Sequence, residues 1–448
     1  MERFDLHCAS KSKIGFITSA NFIGWVFTLL WVPRLSDLYG RQKFIIAGTI
    51  IQFLAFTALL LTESYTVLLM CMFAFGMTAT VRAQVGVNFL YESVKRNHYI
   101  TLYTIYSMLE GFNGLIATFY FMFVSKNYQG LIFMAYTWLA LSLVAVFFYP
   151  ESPRYLIKSG QIDEASDSFN YVARFNSYAE VSEPQIEQLF GDFRAKEKSP
   201  SKSRYGNSAN KSSANKSRNG DTDEKSRLLK NDEEDAISKM SERTRLRKIR
   251  NNMMYFLNQP IILKNLIALT ILWIVCGFNY YLCNLMVKYF PGNFQYNMMV
   301  MFSADIAAAA FAGTFVSYIE PRKLFFTYTL MSAMAGICMI FLIDKENPNW
   351  TVPVIVGAAR MGVNCSFTTL YMTHSRYFPT LFAVTSMGIA NIITRFFVVF
   401  APLAAELDFP TPMIIFTLMQ FAGFASSIFI NDDVHFANQT EYQTEKLD

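Results

Sequence analysis

Five ionisable side chains lie in the middle of long apolar stretches of this sequence. They are three arginines and two acids: Arg82, Glu110, Asp305, Arg360 and Arg395. An ionisable group inside a membrane is costly, so each of them is a candidate functional residue. A guanidinium that faces a cavity can bind a carboxylate or a sulfonate through two parallel hydrogen bonds. We therefore expect Arg395 to contact a substrate of that chemistry.

Each of these arginines also has a structural interpretation. Arg395 could form a bridge with Glu110 or with another acid. Arg82 could pair with Glu110, and this interpretation is favoured over a separate substrate contact. Arg360 is interpreted first as a structural residue. Glu110 stays a candidate for the substrate site, whichever arginine it faces.

Aromatic residues provide a second candidate for ligand contact. Flat organic ions pack well against aromatic faces, and tyrosine hydroxyls add hydrogen-bond donors. The residues that could form such a wall are Tyr106, Phe278, Tyr280 and Tyr281. With 43 Phe and 24 Tyr in the chain, many aromatics must only pack or contact lipid. For Tyr280 and Tyr281 a cavity position and a packing position are equally supported, and Tyr106 has the weaker signal.

The composition limits the kind of protein that could use these residues. Of 448 residues, 53% are hydrophobic and only 16% are charged, whereas soluble domains usually have about 25% charged residues. This composition excludes a soluble enzyme, a disordered protein and a nucleic-acid binder. Four histidines and six cysteines without a CxxC pair give no metal site. The sequence has no phosphate-binding G-x-x-x-x-G-K-[ST] motif, so we expect neither ATP-driven transport nor a cofactor.

The apolar stretches are long enough to cross a membrane as helices, each of which needs about 20 residues. Eleven candidates are present, at 14–35, 44–62, 65–91, 99–124, 130–149, 261–286, 296–318, 322–343, 350–373, 381–402 and 411–430. Five precede and six follow a long polar segment. The sequence therefore predicts an all-α membrane protein in the lipid bilayer, with about eleven transmembrane helices in two helical halves.

The charges of the connecting loops predict an orientation. Lysine and arginine occur in alternate connections, at 37–43, 92–98, 320–323 and 374–380. Because basic loops stay on the cytoplasmic side, we expect these loops inside, the N-terminus outside and the C-terminus inside.

The polar segment between the halves has several regions of its own. Residues 161–195 have the pattern of short amphipathic helices. Residues 196–231 are rich in Ser, Asn, Lys and Arg, 232–235 are acidic, and 196–235 are predicted to be disordered. The stretch Glu224–Leu229 fits an acidic dileucine pattern that a sorting adaptor would bind. Because of this pattern, an endolysosomal or vacuolar membrane is an alternative location.

Two motifs resemble those of a known transporter superfamily. The turn from Pro33 to Lys43 resembles the G-x-L-x-D-R-x-G-R-K signature of the major facilitator superfamily, with Asp37, Gly40 and Arg41 at matching positions. Residues 150–156 (PESPRYL) resemble the P-E-S-P-R-W-L motif of its sugar porters and organic cation and anion transporters. This resemblance implies an inner gate that also includes Glu92, Glu151 and Arg154.

Shorter stretches narrow the resemblance to the organic cation/anion transporters. They are Phe4–Cys8, Phe278–Tyr281, Pro291–Asn297, Tyr377–Thr380 and Thr385–Asn391. The anion branch of that family carries an arginine at the position of Arg395, and the resemblance puts that position in the central cavity. It implies a plasma-membrane transporter that works by alternating access.

The sequence also departs from that family. Arg376 stands where the family has a glutamate, which reverses a charge in the inner gate. Ala307–Ala310 stands where the anion branch has a lysine. Residue 1 falls inside the family's first extracellular loop, so the first helix has no counterpart, and we expect either an upstream segment or a partner helix in its place.

The domain boundaries and the functional hypotheses follow from these patterns. We predict a loop remnant at 1–13, an N-terminal half at 14–149, a cytoplasmic loop at 150–260, a C-terminal half at 261–430 and a tail at 431–448. The leading hypothesis is a secondary active or facilitative transporter of small organic ions, with a preference for anions. The alternatives are a transporter-derived protein that no longer transports, acting as a structural subunit or receptor, and an organic cation or sugar transporter.

Overall fold

The computed structural model describes residues 10–94, 98–159, 161–178, 259–343, 350–378 and 380–431. Several sequence predictions lie outside these residues. They concern Phe4–Cys8, most of the polar segment with Glu224–Leu229, the tail after residue 431 and the side chain of Arg154.

Six helices make up the N-terminal half. They are α1 (Lys11–Leu29), α2 (Val32–Tyr39), α3 (Arg41–Leu61), α4 (Tyr65–Glu92), α5 (Tyr99–Val124) and α6 (Tyr128–Phe148). The first predicted span, 14–35, is not one straight helix, because α1 and α2 meet at an angle of 44°. Pro33 lies in the first turn of α2, where its missing N–H costs nothing, and it begins the new helix there.

Two short helices and the C-terminal half complete the described chain. The short ones are α7 (Pro153–Ser159) and α8 (Ile162–Phe175). The C-terminal half contains α9 (Pro260–Tyr289), α10 (Phe294–Phe315), α11 (Pro321–Leu342), α12 (Thr351–Thr373), α13 (Thr380–Val398), α14 (Ala401–Ala405) and α15 (Thr411–Ile428).

The described residues form helices, turns and connections without a strand, which confirms the all-α prediction. Nine of their helices are long and apolar enough to cross a membrane, or ten if α1 and α2 cross together. The 23-residue α12 is too polar to be among them, since it buries Arg360, Asn364 and several hydroxyl side chains. A total of eleven spans therefore stays a prediction.

The close contact between α1 and α4 depends on two glycines. A Cβ atom at Gly24 would overlap the carbonyl oxygen of Phe73, and one at Gly76 would overlap that of Asn21. Small residues let two membrane helices approach closely enough for their backbones to pack. Gly24 and Gly76 therefore set the spacing inside the N-terminal half.

The two halves are packed to different degrees. In the C-terminal half, α9 lies at the centre and contacts α12, α13, α14 and α15. Among the described residues, no helix of the N-terminal half takes the equivalent place, and α6 has no buried residue at all, whereas α15 has eight. A partner helix in place of the missing first span stays a prediction.

The halves meet along two lines of contact. Helix α5 packs lengthwise on α10, where Gly111 lies directly against Ile306. Helix α1 packs on α13 and α14, and Lys11 at its start forms an ion pair with Asp408 just beyond α14. The central space between these lines is where residues from both halves come together.

One buried ion pair joins α10 to α12. One edge of the Arg360 guanidinium binds both carboxylate oxygens of Asp305, with Nε to Oδ1 at 2.7 Å and Nη2 to Oδ2 at 2.8 Å. Arg360 is fully buried, and its Nη1 donates to the carbonyl of Tyr280 on α9. The guanidinium carbon also lies 3.5 Å from the centre of the Tyr280 ring. This arrangement satisfies the charge of Arg360 within the protein.

Removal of one partner should therefore be strongly destabilising. We expect Arg360→Ala to lower the free energy of unfolding by about 3–5 kcal/mol, because it leaves Asp305 as an uncompensated buried charge. Thermal unfolding of the purified protein in detergent measures the change. As a control, Lys323→Ala removes an exposed ion pair with Glu320 and should cost at most about 1 kcal/mol. Equal losses in the two variants would contradict a structural role for the Asp305–Arg360 pair.

Candidate functional site

Arg395 on α13 lies between the two halves, with its side chain buried. Its guanidinium carbon is 3.7 Å from the centre of the Trp25 ring, which comes from α1 in the other half. Its Nη1 donates to the hydroxyl of Tyr281 at 3.2 Å, and Tyr371 also contacts the guanidinium. Arg395 is thus held by aromatic residues of α1, α9 and α12.

Arg360 is paired with a carboxylate, whereas Arg395 has no such partner among the described residues. Among the described residues, no carboxylate comes within ion-pair distance of Arg395, and its buried Nε has no hydrogen-bond partner. The indole N–H of Trp25 is buried without a partner as well. Two donors with no acceptor beside them are suited to an anion, since a buried donor left unpaired is costly.

The predicted aromatic wall is only partly brought together. Tyr281 contacts Arg395, as described above. Its ring also packs edge to face on the ring of Phe22 of α1, with the ring centroids 4.6 Å apart. Tyr280 packs under Arg360 instead, and Phe278 is buried in the apolar core of the C-terminal half. The structure therefore places Tyr281 at the candidate site and gives Tyr280 and Phe278 packing positions.

Glu110 and Arg82 face open space rather than each other. Both side chains are exposed, and Arg82 lines the cavity described below. Neither makes an ion pair or hydrogen bond with a described residue. They do lie within electrostatic range of one another, and Glu110 is also within range of Arg395. The expected Arg82–Glu110 and Arg395–Glu110 pairs are thus not formed among the described residues, and the guanidinium of Arg395 packs against Trp25 and Tyr281 instead.

Arg82 lies on an irregular part of α4. Residues Val81–Gly86 form a π-helical turn, a wider turn that often marks a functional position. Arg82 and Tyr106 line a mostly apolar cavity of about 400 Å³ between α3, α4, α5 and α6.

The inner-gate motif forms a compact cluster at one end of the N-terminal half. The Glu151 carboxylate accepts from the backbone N–H of Arg41 at 3.0 Å and of Gln42 at 3.0 and 3.2 Å, so it caps α3. A negative charge at this helix end is favoured by the helix dipole. Gly40 has a φ of 99°, and a Cβ atom there would overlap the carboxylate. Glycine at position 40 is thus required by both the turn and the cap.

The side chain of Arg41 pairs with two further carboxylates of this cluster. Its Nη1 is 2.8 Å from Glu92 and its Nη2 is 3.0 Å from Asp37. The Ser152 hydroxyl donates to the same oxygen of Glu92, Oε2, that faces Arg41. The cluster therefore joins α2, the end of α4 and the start of α7 to α3.

Tyr155 contacts this cluster, whereas Arg376 does not. Tyr155 donates from its hydroxyl to the carbonyl of Leu38 at 3.0 Å. Burial and the nearby Glu151 and Glu164 carboxylates raise the pKa of Tyr155, so its hydroxyl stays a donor at neutral pH. Arg376 is exposed, and it forms no ion pair with a described carboxylate. The charge reversal at Arg376 therefore has no contact with the cluster in this conformation.

Comparison with known proteins identifies the family. A sequence model described as the Major Facilitator Superfamily matches residues 4–402, which is most of the chain. The chain belongs to this superfamily.

Several curated relatives within the superfamily are named as organic anion transporters. Organic anion transporter 3 of Mus musculus is 24% identical over 305 residues, which cover 65% of this chain and 48% of the mouse protein. The Sus scrofa protein of that name is 21% identical over 96% of this chain and 71% of its own length. Solute carrier family 22 member 7 of Homo sapiens is 20% identical over 91% of this chain and 65% of its own length. The chain thus spans about half the length of the mouse relative and about two thirds of the others.

Solved structures give the same fold. The proton:xylose symporter XylE, with a bound glucose derivative, superimposes with a TM-score of 0.65 over 96% of this chain and 89% of its own. An inward-open structure of XylE from E. coli superimposes with a TM-score of 0.63. Sequence identity is 11% in both, so the likeness shows the fold alone.

Two residues of this superfamily member come to the site without a sequence signal. Trp25 and Tyr371 lie in apolar stretches with many other aromatics, and no motif distinguishes them. Arg395 and Tyr281, in contrast, are predicted as site candidates from their residue types and motifs. The partners of Arg395 depend on how α1 and α12 pack against α13, which no local pattern specifies.

The cap at α3 can be tested by its effect on stability. We expect Glu151→Ala to lower the free energy of unfolding by about 1–2 kcal/mol, because three hydrogen bonds to the start of α3 lose their acceptor. Thermal unfolding in detergent gives the change. In the matched control, Asp37→Ala removes a partly exposed carboxylate that also contacts Arg41 and should cost about 0.5 kcal/mol or less. If the two variants were equally stable, Glu151 would not be the cap that supports this turn.

Proposed function

We propose that this protein transports small organic anions across a membrane by alternating access of its two halves. Membership of the Major Facilitator Superfamily and the XylE-like fold support a transport function. The names of the curated relatives support organic anions as the substrates. The site around Arg395 supplies the physical basis for that choice.

The observation that carries the proposal is the uncompensated charge of Arg395. A buried guanidinium without a carboxylate is costly unless an anion from outside completes it. Its unpaired Nε and the unpaired indole N–H of Trp25 offer two donors to such an anion. A carboxylate or sulfonate has the oxygens to accept both.

The surroundings of Arg395 favour an organic anion over an inorganic one. Trp25, Tyr281 and Tyr371 present aromatic faces and edges on several sides of the guanidinium. An aromatic or other flat organic group packs against such surfaces and gains from burial, which a small hydrated ion does not.

The position of the site between the halves fits alternating access. Trp25 belongs to the N-terminal half, and Arg395 and Tyr281 belong to the C-terminal half. A ligand bound there contacts both halves, so its binding free energy can favour one arrangement of the halves over the other.

We also propose an orientation and a location. The basic loops next to Arg41 and Arg322 would face the cytoplasm, following the positive-inside rule. The plasma membrane is the location that the organic anion transporter relatives support. The dileucine pattern at Glu224–Leu229, which a sorting adaptor would recognise, stays a prediction.

Uptake into liposomes tests the proposed substrate class. The purified chain is reconstituted, and uptake of radiolabelled benzenesulfonate is compared with that of phenyltrimethylammonium. Both probes keep their charge at any working pH and neither has a membrane-permeable neutral form. We expect saturable uptake of the sulfonate alone.

Replacement of Arg395 tests the site itself. We expect Arg395→Ala to reduce benzenesulfonate uptake about 10- to 100-fold, because a hydrogen bond to a charged group contributes about 1.5–3 kcal/mol. Arg322→Ala, which removes an exposed arginine at the start of α11, should leave uptake unchanged. Unchanged uptake by Arg395→Ala would show that Arg395 is not the substrate contact.

The same preparation distinguishes the alternative functions. Binding of benzenesulfonate in detergent without uptake into liposomes would support a transporter-derived protein that binds but does not transport. Uptake of phenyltrimethylammonium, or of a neutral sugar, would support the organic cation or sugar alternative instead.

A further inference from the structure

A groove runs between α9 and α15 on the membrane-facing surface of the C-terminal half. It has a volume of about 700 Å³. Its walls include the exposed side chains of Leu263, Ile267 and Ile271 on α9 and of Phe429 just after α15. The three α9 residues are spaced by one helical turn each, so together they extend over about 12 Å along the helix. The groove therefore presents a continuous apolar wall to the bilayer.

Small side chains of both helices lie between these walls. They are Ala268, Ala422, Ala425 and Ser426. The Ser426 hydroxyl donates to the carbonyl of Ala268 at 2.7 Å, so this polar group has its partner within the protein. A hydrocarbon chain that lies in the groove thus meets apolar surface and covers no unpaired hydroxyl.

A cation lies at the end of the groove that adjoins the polar segment of the chain. Lys264 is exposed in the second turn of α9, and its Nζ is 5.5 Å from the centre of the Phe429 ring. Among the described residues, no carboxylate forms an ion pair with Lys264. Arg322 reaches the same end of α15 but donates to the carbonyl of Ile428. Lys264 is therefore available to an anion from outside the protein.

The length of α9 puts Lys264 at the depth of the lipid head groups. This helix has 30 residues, and its length of about 45 Å exceeds the hydrocarbon core of about 30 Å. A helix centred in the bilayer would extend by about 7 Å, or about five residues, beyond each side of that core. Lys264 is the fifth residue of α9, whereas Ile267 and Ile271 lie inside the hydrocarbon region.

We propose that this groove binds one anionic phospholipid. An acyl chain lies along Leu263, Ile267 and Ile271, and the phosphate of the head group meets Lys264. Charge selects the lipid, because a zwitterionic lipid carries its own cation beside the phosphate and gains less from the lysine. In the proposed orientation this end of α9 faces the cytoplasmic leaflet, where anionic lipids are found.

Native mass spectrometry of the full chain, purified in detergent, tests which lipid stays bound. The probes are dioleoylphosphatidylglycerol, which is anionic, and dioleoylphosphatidylcholine, which is zwitterionic. They have the same acyl chains and are offered at equal concentration. We expect the adduct of one phosphatidylglycerol to exceed that of one phosphatidylcholine about fivefold, because a lysine at this depth attracts an anionic lipid.

Matched variants assign the preference to the groove. Lys264→Gln should remove the preference for phosphatidylglycerol, and Lys264→Arg should keep it. Ala425→Phe fills the groove and should reduce the adducts of both lipids. As the control, Lys323→Gln removes another exposed lysine, at the start of α11, and should leave both adducts unchanged.

Several results would overturn the proposal. They are equal adducts of the two lipids on the unmodified protein, and a preference that persists in Lys264→Gln. Loss of the phosphatidylglycerol adduct in excess glycerol 3-phosphate would assign Lys264 to a soluble phosphate instead. A dimer without lipid adducts, which Ala425→Phe dissociates, would make the groove an interface between two copies. Because the readout is lipid retention, each of these results is independent of whether benzenesulfonate is transported.

Discussion

The cost of a charge inside the membrane is the constraint on which the centre of this protein depends. A buried ion must be paired, or it must be stabilised by hydrogen bonds and polarisable surfaces. Asp305 and Arg360 meet this requirement completely, and in doing so they join α10 to α12. Arg395 meets it in part, through the Trp25 ring and the Tyr281 hydroxyl. The two arginines thus differ in that the guanidinium of Arg360 is paired with a carboxylate, whereas the Nε of Arg395 has no hydrogen-bond partner.

The partly satisfied arginine also lies where movement of the halves would change its surroundings. Its aromatic support comes from both halves, since Trp25 is on α1 and Tyr281 is on α9. Any motion that separates α1 from α13 removes Trp25 from Arg395 and changes what the guanidinium requires. Binding of the anion that we propose for this site would therefore be linked to the arrangement of the halves through the same contacts.

The two halves have different internal support. In the C-terminal half α9 fills the centre, and the large buried side chains such as Trp273 and Phe416 belong to this half. In the N-terminal half α6 is unburied, and a cavity lies between α3 and α6. In this half, the glycine contact fixes the spacing of α1 and α4, and the Glu151 cap fixes the start of α3. The inner-gate cluster thus has a structural function in addition to any role in the transport cycle.

The sequence by itself determined the helical membrane class, the superfamily and the residues worth attention. Long apolar runs must be helical in a bilayer, and mid-span ionisable residues are rare enough to be noticed individually. The motif at Pro33–Lys43 likewise predicted a tight turn at Gly40, because few residues other than glycine accept its backbone conformation.

Only the tertiary structure decided which partner each of these groups has. Arg360 and Arg395 have the same chemistry and similar apolar surroundings in the sequence, yet one faces Asp305 and the other faces Trp25. Glu151 rather than Asp37 caps α3, because the chain returns to that helix end 110 residues later. Such pairings depend on how separate helices pack, and helix packing joins residues that are far apart in the chain. A local pattern therefore shows that a charge is present but not what neutralises it.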